Sequence, residues 1–490
     1  MRQYFTIISL FISLLSFAQN WQLDWNTSMR LAGTTGEYMP FWSRTGEDGI
    51  LPVTSSGLVT AGAAISYNTE NNFKFEAGTN LAGALAKVSP VNRAPVYGIV
   101  DRLYVSGSWK MLHLDLGMKP RARTLSDVSV SGGNISYSRN ARNMPGINAW
   151  SDWIYFEKGH WFGIKGNIAH YQTVDNRYVS RAMIHNKSLA VKLALGPDID
   201  FSVGLEHWAQ WGGNSPLYGD QPVSLRDFWR IFMAGKGGED ASTSDQVNVL
   251  GNHLGKECFR LDWRHSDFTM TLQYDKPFED GSGMKYKNAP DGIWSVQFLL
   301  KDRKAFLTDI VFEYIQTTWQ SGPEHDRPAT DEEMAEQAPD SPFLGVVVLG
   351  GCDNYFGNSE YRSGWTYHNR TIGLPLILPA LPGEDGITGD IVSTRLKGLH
   401  LGLKGYVASK VPYSMKVTYT RNYGVYHQSE FSFFESRPWQ LSAALEAGLG
   451  KDILNLPLDL SIGIYGDIGE LYQNSVGLTL KMTYSGLLRF

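Results

Sequence analysis

After its first seventeen residues the chain has no long hydrophobic run. The most apolar later stretch, Leu344 to Leu349, falls far short of the ~20 residues that a membrane-spanning helix needs. Cysteine is almost absent, with only Cys258 and Cys352. Two cysteines make no disulfide framework; they are read as unlinked thiols, although an oxidising compartment would also permit their pairing. No Cys/His spacing suits zinc, and neither a metal nor a cofactor is expected. There is no basic block, and the formal net charge is −5, which removes the argument for a nucleic-acid partner. Catalytic signatures are missing as well: the chain contains no G-x-S-x-G elbow, no H-E-x-x-H pair and no P-loop.

What is present sits first at the two ends. Arg2 precedes an apolar run from Phe5 to Phe17, and Ser16-Phe17-Ala18 has the small-x-small form of a cleavage site. Residues 1–18 are therefore expected to be a cleaved signal peptide, and residues 19–490 the mature chain. At the other end, Val476 to Phe490 alternates. Leu478, Leu480, Met482, Tyr484, Leu488 and Phe490 fall on even positions; Thr479, Lys481, Thr483, Ser485 and Arg489 fall on odd ones. A period of two puts these sets on opposite faces of one β-strand. A last strand with one apolar face and a terminal aromatic resembles the closing strand of a bacterial outer-membrane barrel, whose apolar face meets lipid.

The same alternation recurs in between. Phe73 and Phe75 alternate with Lys74 and Glu76, and Leu112, Leu114 and Leu116 with His113 and Asp115. Phe259, Leu261 and Trp263 alternate with Arg260, Asp262 and Arg264, and Met415, Val417 and Tyr419 with Lys416 and Thr418. Full charges on the second face suit a lumen. A secreted chain without helical spans enters a membrane only as a closed barrel, and 62 aromatic residues suit interfacial girdles. Sixteen to eighteen strand candidates use up the mature chain. Arg264 to Asp267 and Ala408 to Pro412 read as tight hairpins of the periplasmic side. Thr317 to Pro342, rich in Asp and Glu, and Leu374 to Gly389, rich in Pro and Gly, read as solvated extracellular loops.

Two kinds of cluster carry candidate chemistry. Asn252-His253 and His207 are the residues a hydrolase would use, a minor reading beside ordinary hydrogen bonding. Aromatic-polar clusters are more suggestive: Trp208 and Trp211 stand beside Glu206, His207 and Gln210, and Arg226 and Arg230 follow. Aromatic faces stack on sugar rings, and Arg supplies planar donors to hydroxyls and carboxylates. Girdle and lumen roles account for the same residues equally well.

Six segments, in order along the chain, resemble the Wzi family of outer-membrane capsule assembly proteins: GEYMPFWSRTGEDGIL from Gly36, SRNARNMPGI from Ser138, GLEHWAQWGG from Gly204, VLGNHLG from Val249, FEDGSGMKYKNAPDGIW from Phe278 and YFGNSEYRSGWTYHNRTIGLP from Tyr355. Asn143-Met144-Pro145 departs slightly from the family's usual segment. The resemblance implies an all-β transmembrane barrel of about eighteen antiparallel strands with its lumen plugged by loops, a non-enzymatic, lectin-like monomer in the outer membrane. It would contact outer-membrane lipid and hold capsular or other surface polysaccharide. Candidate polymer contacts are then Trp208, Trp211, Arg226, Arg230, Tyr361, Arg362, Trp365, Tyr367 and Arg370. A porin or substrate-specific channel is the alternative.

Overall fold

A computed structural model describes residues 21–490 except 70, 158, 243, 244, 247, 248, 324–326, 340, 342, 343, 348, 350 and 427–432. The expected signal peptide, residues 1–18, lies outside the described residues, as do Glu324, Asp326 and Asp340 of the acidic loop.

Eighteen antiparallel strands close into one barrel. They are β1 (Trp21–Thr34), β2 (Ser56–Asn68), β3 (Phe73–Ala86), β4 (Val96–Trp109), β5 (Leu112–Met118), β6 (Gly146–Ser151, continued by Ile154–Tyr155), β7 (Phe162–Gln172), β8 (Met183–Ala194) and β9 (Ile199–Trp211). The second half comprises β10 (Asn252–Arg264), β11 (Phe268–Phe278), β12 (Gly292–Leu300), β13 (Asp309–Gln316), β14 (Leu396–Val407), β15 (Val411–Asn422), β16 (Trp439–Leu449), β17 (Asp459–Gly469) and β18 (Ser475–Arg489). Each strand pairs with its sequence neighbour, and β18 returns to β1 from Gln22↔Arg489 to Thr34↔Gly477, so no edge is left open.

The period of two decides the faces. On β18, Val476, Leu478, Leu480, Met482 and Tyr484 are exposed on the outside, while Ser475 and Thr479 are buried within. On β4, Val96, Val100, Leu103, Val105 and Trp109 are exposed and Asp101 and Ser106 are buried; the change of parity after Val100 follows a register shift opposite Asn80 and Leu81, the mark of a β-bulge. Among the described residues no helix is long and apolar enough to cross a membrane; the crossing is made by strands.

Short turns (69–72, 110–111, 265–267, 408–410) and both ends of the described chain share one rim. Long connections (35–55, 119–145, 212–251, 317–395) leave the other. In barrels of this kind short turns face the periplasm and long loops the outside. The Ala408 turn is tighter than expected, because Val411 and Pro412 already belong to β15.

The lumen is filled from the outer side. Phe41 and Trp42, on the one-turn helix α1 (Phe41–Arg44), join Val130, Ile135, Tyr355, Phe356, Trp365, Tyr367, Leu374 and Ile377 in a single apolar cluster against the wall residues Tyr171, Trp208, Leu254, Ile293 and Ile315. Three connections thus meet inside the barrel. Leu374 to Gly389 is accordingly not wholly a solvated loop: Leu374, Leu376 and Ile377 are buried in this cluster, since apolar side chains gain from leaving water. Polar ties fix the plug to the wall. Glu313 of β13 accepts from Ser129 Oγ (3.0 Å) and Val130 N–H (2.7 Å) and also from Ser131. His400 of β14 meets the Val128 carbonyl at 2.7 Å. Gly402 is needed there, because a Cβ on it would stand 2.3 Å from that same carbonyl oxygen.

Candidate functional site

The plug divides the lumen into an outer face and an inner chamber. Asp48, 1 % exposed, pins two of its segments: it accepts from Arg102 Nη2 (2.8 Å), Arg139 Nε (2.6 Å) and Arg139 Nη2. Burial alone would push this carboxyl up, but the hydrogen bonds and charges of Arg139 and Arg102 outweigh it and hold Asp48 below its ordinary value.

The nine expected contact residues fall into three groups. Trp208, Trp365 and Tyr367 belong to the plug cluster, at 0, 0 and 1 % exposure. Trp208 stacks on Tyr137 at 5.3 Å and meets Trp365 edge-on at 5.8 Å, and the Trp365 indole N–H donates to the Ser136 carbonyl at 2.7 Å. Tyr361 is also buried, donating to the Gly212 carbonyl at 3.2 Å. Arg370 is a strut: it donates to the carbonyls of Arg44 (2.6 Å) and Leu51. Burial first, then the charges of Arg44 and Arg142, push it down to about 10. Enclosed side chains cannot stack on a sugar ring while the plug is in place, so these five hold the surface rather than form it. Trp211, Arg226 and Arg230 make the second group and stand on the outside of the wall. Trp211 is 4 % exposed, and Arg230 is paired with Asp227 at 2.7 Å on the helix α2 (Leu225–Met233); Arg226 of that helix is exposed. Arg362 alone lies exposed over the plug, its guanidinium 5.0 Å from the Tyr178 ring.

The outer rim carries a further cluster that the sequence did not single out. Arg395 stacks at 3.8 Å on Tyr426 and donates to the Thr318 carbonyl at 3.2 Å. The Tyr426 hydroxyl donates to the Trp319 carbonyl at 2.7 Å, and the Trp319 side chain is exposed. These residues come from the ends of two different connections, and no local spacing in the sequence links them.

Beneath the plug lies a chamber of about 840 Å³, lined from mid-barrel to the short-turn rim. Its ceiling is Arg121, held 5.0 Å over Trp208 and 5.5 Å over Tyr137. Lys165, Lys192 and Arg260 line its walls together with Asp200, Asp262 and Trp150, a mixed but predominantly cationic surface.

The residues considered for hydrolysis do not assemble. Asn252 points inward and donates to Gln210 Oε1 at 2.8 Å. His253 points outward, its ring meeting the His207 ring nitrogen at 2.8 Å and the Leu250 carbonyl at 2.7 Å. The barrel wall separates the two side chains. Among the described residues no group of three or more His, Cys, Asp or Glu side chains is arranged to hold a metal ion, and both cysteines are free.

No protein-family model matches the chain, and no curated protein does. Solved structures do. The Wzi outer-membrane protein of Escherichia coli, described as a carbohydrate-binding β-barrel involved in group 1 capsule assembly, aligns over 99 % of this chain and 87 % of its own, with a TM-score of 0.54 and 12 % identity. A BenF-like porin of Pseudomonas fluorescens aligns over 96 % of this chain and all of its own, with a TM-score of 0.47 and 10 % identity. Pseudomonas aeruginosa OccK3 gives 97 and 98 %, with 0.47 and 9 %. At 12 % identity the likeness to Wzi concerns the fold. Joined to the closed wall, the exposed apolar belt and the filled lumen, it leads to one conclusion: the chain is a plugged, eighteen-stranded β-barrel of the outer-membrane type.

Proposed function

We propose that this barrel is a non-enzymatic, lectin-like anchor that binds capsular or other surface polysaccharide at the outer face of the cell. The observation that carries the reading is the apolar plug. It fills much of the outer lumen with packed apolar side chains, which favours a binding role over a wide channel, and it gives the outer face a fixed set of side chains. Arg362 with Tyr178, and Trp319 with Arg395 and Tyr426, pair a flat aromatic face with a guanidinium, the combination that suits an acidic or hydroxyl-rich polymer. Arg226 extends this surface beyond the wall. The plug residues Trp208, Trp365, Tyr367, Tyr361 and Arg370 keep it in shape. The fold-level likeness to a carbohydrate-binding barrel supports the same reading by analogy.

A repetitive polymer engages several weak sites at once, so retention depends on their number. Deleting the gene should leave total polymer unchanged and move it from cells to medium. Replacing Arg362 by Glu or Trp319 by Ala removes a contact of about 1 kcal/mol, and each should lower retention a few-fold, the double variant more. Folded variants with normal retention would overturn the site; an unchanged partition in the deletion strain would overturn the function.

A further inference from the structure

The outer wall is not uniform around the barrel. On β4 the exposed apolar face runs from Val96 to Trp109, about 43 Å along the strand at ~3.3 Å per residue and roughly 33 Å along the membrane normal at the usual tilt. On β9 the outward apolar face, half-buried at Ile199 and Phe201 and exposed at Val203 and Leu205, ends at Leu205, about 20 Å along the strand and roughly 15 Å along the normal. Above Leu205 the outward face of β9 carries His207, Ala209 and Trp211, and polar side chains interrupt the apolar belt here on three neighbouring strands. His207 lies opposite Lys187, which in turn lies opposite Ile168. His185 lies opposite His170 and Ala209, and His253 lies opposite Ala209. An apolar band of ~25 Å is what a bilayer of this kind requires. This part of the wall cannot supply it from its strands.

Connection 212–251 folds over that polar patch from outside. α2 is a nine-residue amphipathic helix begun by a reciprocal Ser224–Asp227 cap. Its Phe228 ring packs against His170, His185 and Trp211, at 6.1, 5.4 and 6.0 Å. Phe232 lies 5.5 Å from His185 and 4.2 Å from the Lys187 ammonium, and Ile231 is fully buried with Ala209, Trp211, Ala241 and Leu250. The adjoining side of the helix, turned away from the wall, carries Leu225, Trp229 and Met233, spaced i, i+4, i+8, at 75, 55 and 72 % exposure, and Val223 just before it at 59 %. Apolar exposure on three successive turns of one helix face is unusual next to water.

We infer that α2 lies in the outer leaflet of the membrane, where Leu225, Trp229 and Met233 replace the missing upper part of the apolar belt and its inner face shields the histidine patch from lipid. The occupant of the exposed stripe is the acyl region just below the headgroups. The stripe is continuous with the strand belt: Phe232 of the same helix sits on Lys187, two residues above Leu189, and Leu189 and its partner Leu205 are exposed members of that belt. A Trp at this depth, with Arg226 beside it on the helix, fits the apolar-to-polar boundary of a bilayer.

Nitroxide labelling tests this directly. Trp229→Cys and, separately, Met233→Cys are made in a Cys258→Ala, Cys352→Ser background and the full chain is placed in vesicles of phosphatidylcholine and phosphatidylglycerol (3:1). Leu189→Cys serves as the lipid reference and Arg362→Cys as the water reference. Relaxation by oxygen relative to a water-soluble nickel chelate should be severalfold higher at 229 and 233 than at 362, approaching the ratio at 189. Ratios at 229 and 233 equal to that at 362 would place the stripe in water and overturn the inference. The outcome is independent of polysaccharide binding, so it stands or falls apart from the proposed function.

Discussion

Asp245 shows how one residue tunes the outer loops. Its carboxylate accepts from the Gly251 N–H at 2.9 Å, at the point where connection 212–251 enters β10. Burial, reinforced by the charge of Glu360, pushes it up to about 7 from an ordinary value of 3.8. An acid raised in the folded state binds its proton more tightly there than when the loop is open. Stability is therefore greatest below pH ~4, falls as pH rises towards ~7 and is flat beyond, a span of up to about 4 kcal/mol. Hydrogen exchange of residues 212–251, corrected for intrinsic rates, should be slower at pH 5 than at pH 8, and Asp245→Asn should remove the difference. At this scale the sequence was least informative. Trp208, Trp365 and Tyr367 sit among polar neighbours, as sugar-stacking aromatics do, and nothing local distinguishes that setting from a plug interior. Connections have no hydrophobic period, so the direction of a side chain there is decided by contacts hundreds of residues away.

Strands were the legible elements. Leu112, Leu114 and Leu116 alternate with His113 and Asp115, and the first three are exposed on the outside of β5 while Asp115 is buried. Two-fold periodicity survives because each strand must present one face to lipid and one to the lumen. The same asymmetry makes a quantitative expectation. Met482 faces outward near the middle of β18, opposite Met29; Thr483 faces inward. Met482→Arg should cost about 2–4 kcal/mol in urea unfolding from vesicles, and Thr483→Arg distinctly less. Plug segments escaped this logic. Leu374, Leu376 and Ile377 lie in a Pro- and Gly-rich stretch that reads as a loop, yet they are buried. Segments at Gly36, Ser138 and Tyr355, noticed only through resemblance, turn out to supply Phe41, Ala141 and Trp365 to the same cluster.

At the scale of the whole molecule, the filled lumen leads to an expectation about conductance. The purified barrel in a planar bilayer should give only brief, small currents, while Asp48→Asn, which leaves Arg139 and Arg102 without their shared carboxylate, should raise the open fraction by loosening the plug. Steady porin-sized conductance from the unaltered chain would contradict the plugged architecture. The barrel and the approximate strand number were readable in advance; the chamber beneath the plug and the helix outside the wall were not, because both arise from how connections fold back onto strands. The junction of β1 with β18 carries a last consequence. It joins the two ends of the described chain, down to the Phe490 N–H donating to the Trp21 carbonyl at 3.0 Å, and the wall is complete only when that seam zips shut. Segment 119–145 and its partners are then ringed by the wall, to which Glu313 and His400 tie them. The seam holds the ring of wall residues that the plug packs against, so a defect that opens it, such as Met482→Pro on β18, is expected to loosen the plug as well as the wall, read as increased proteolysis of residues 119–145.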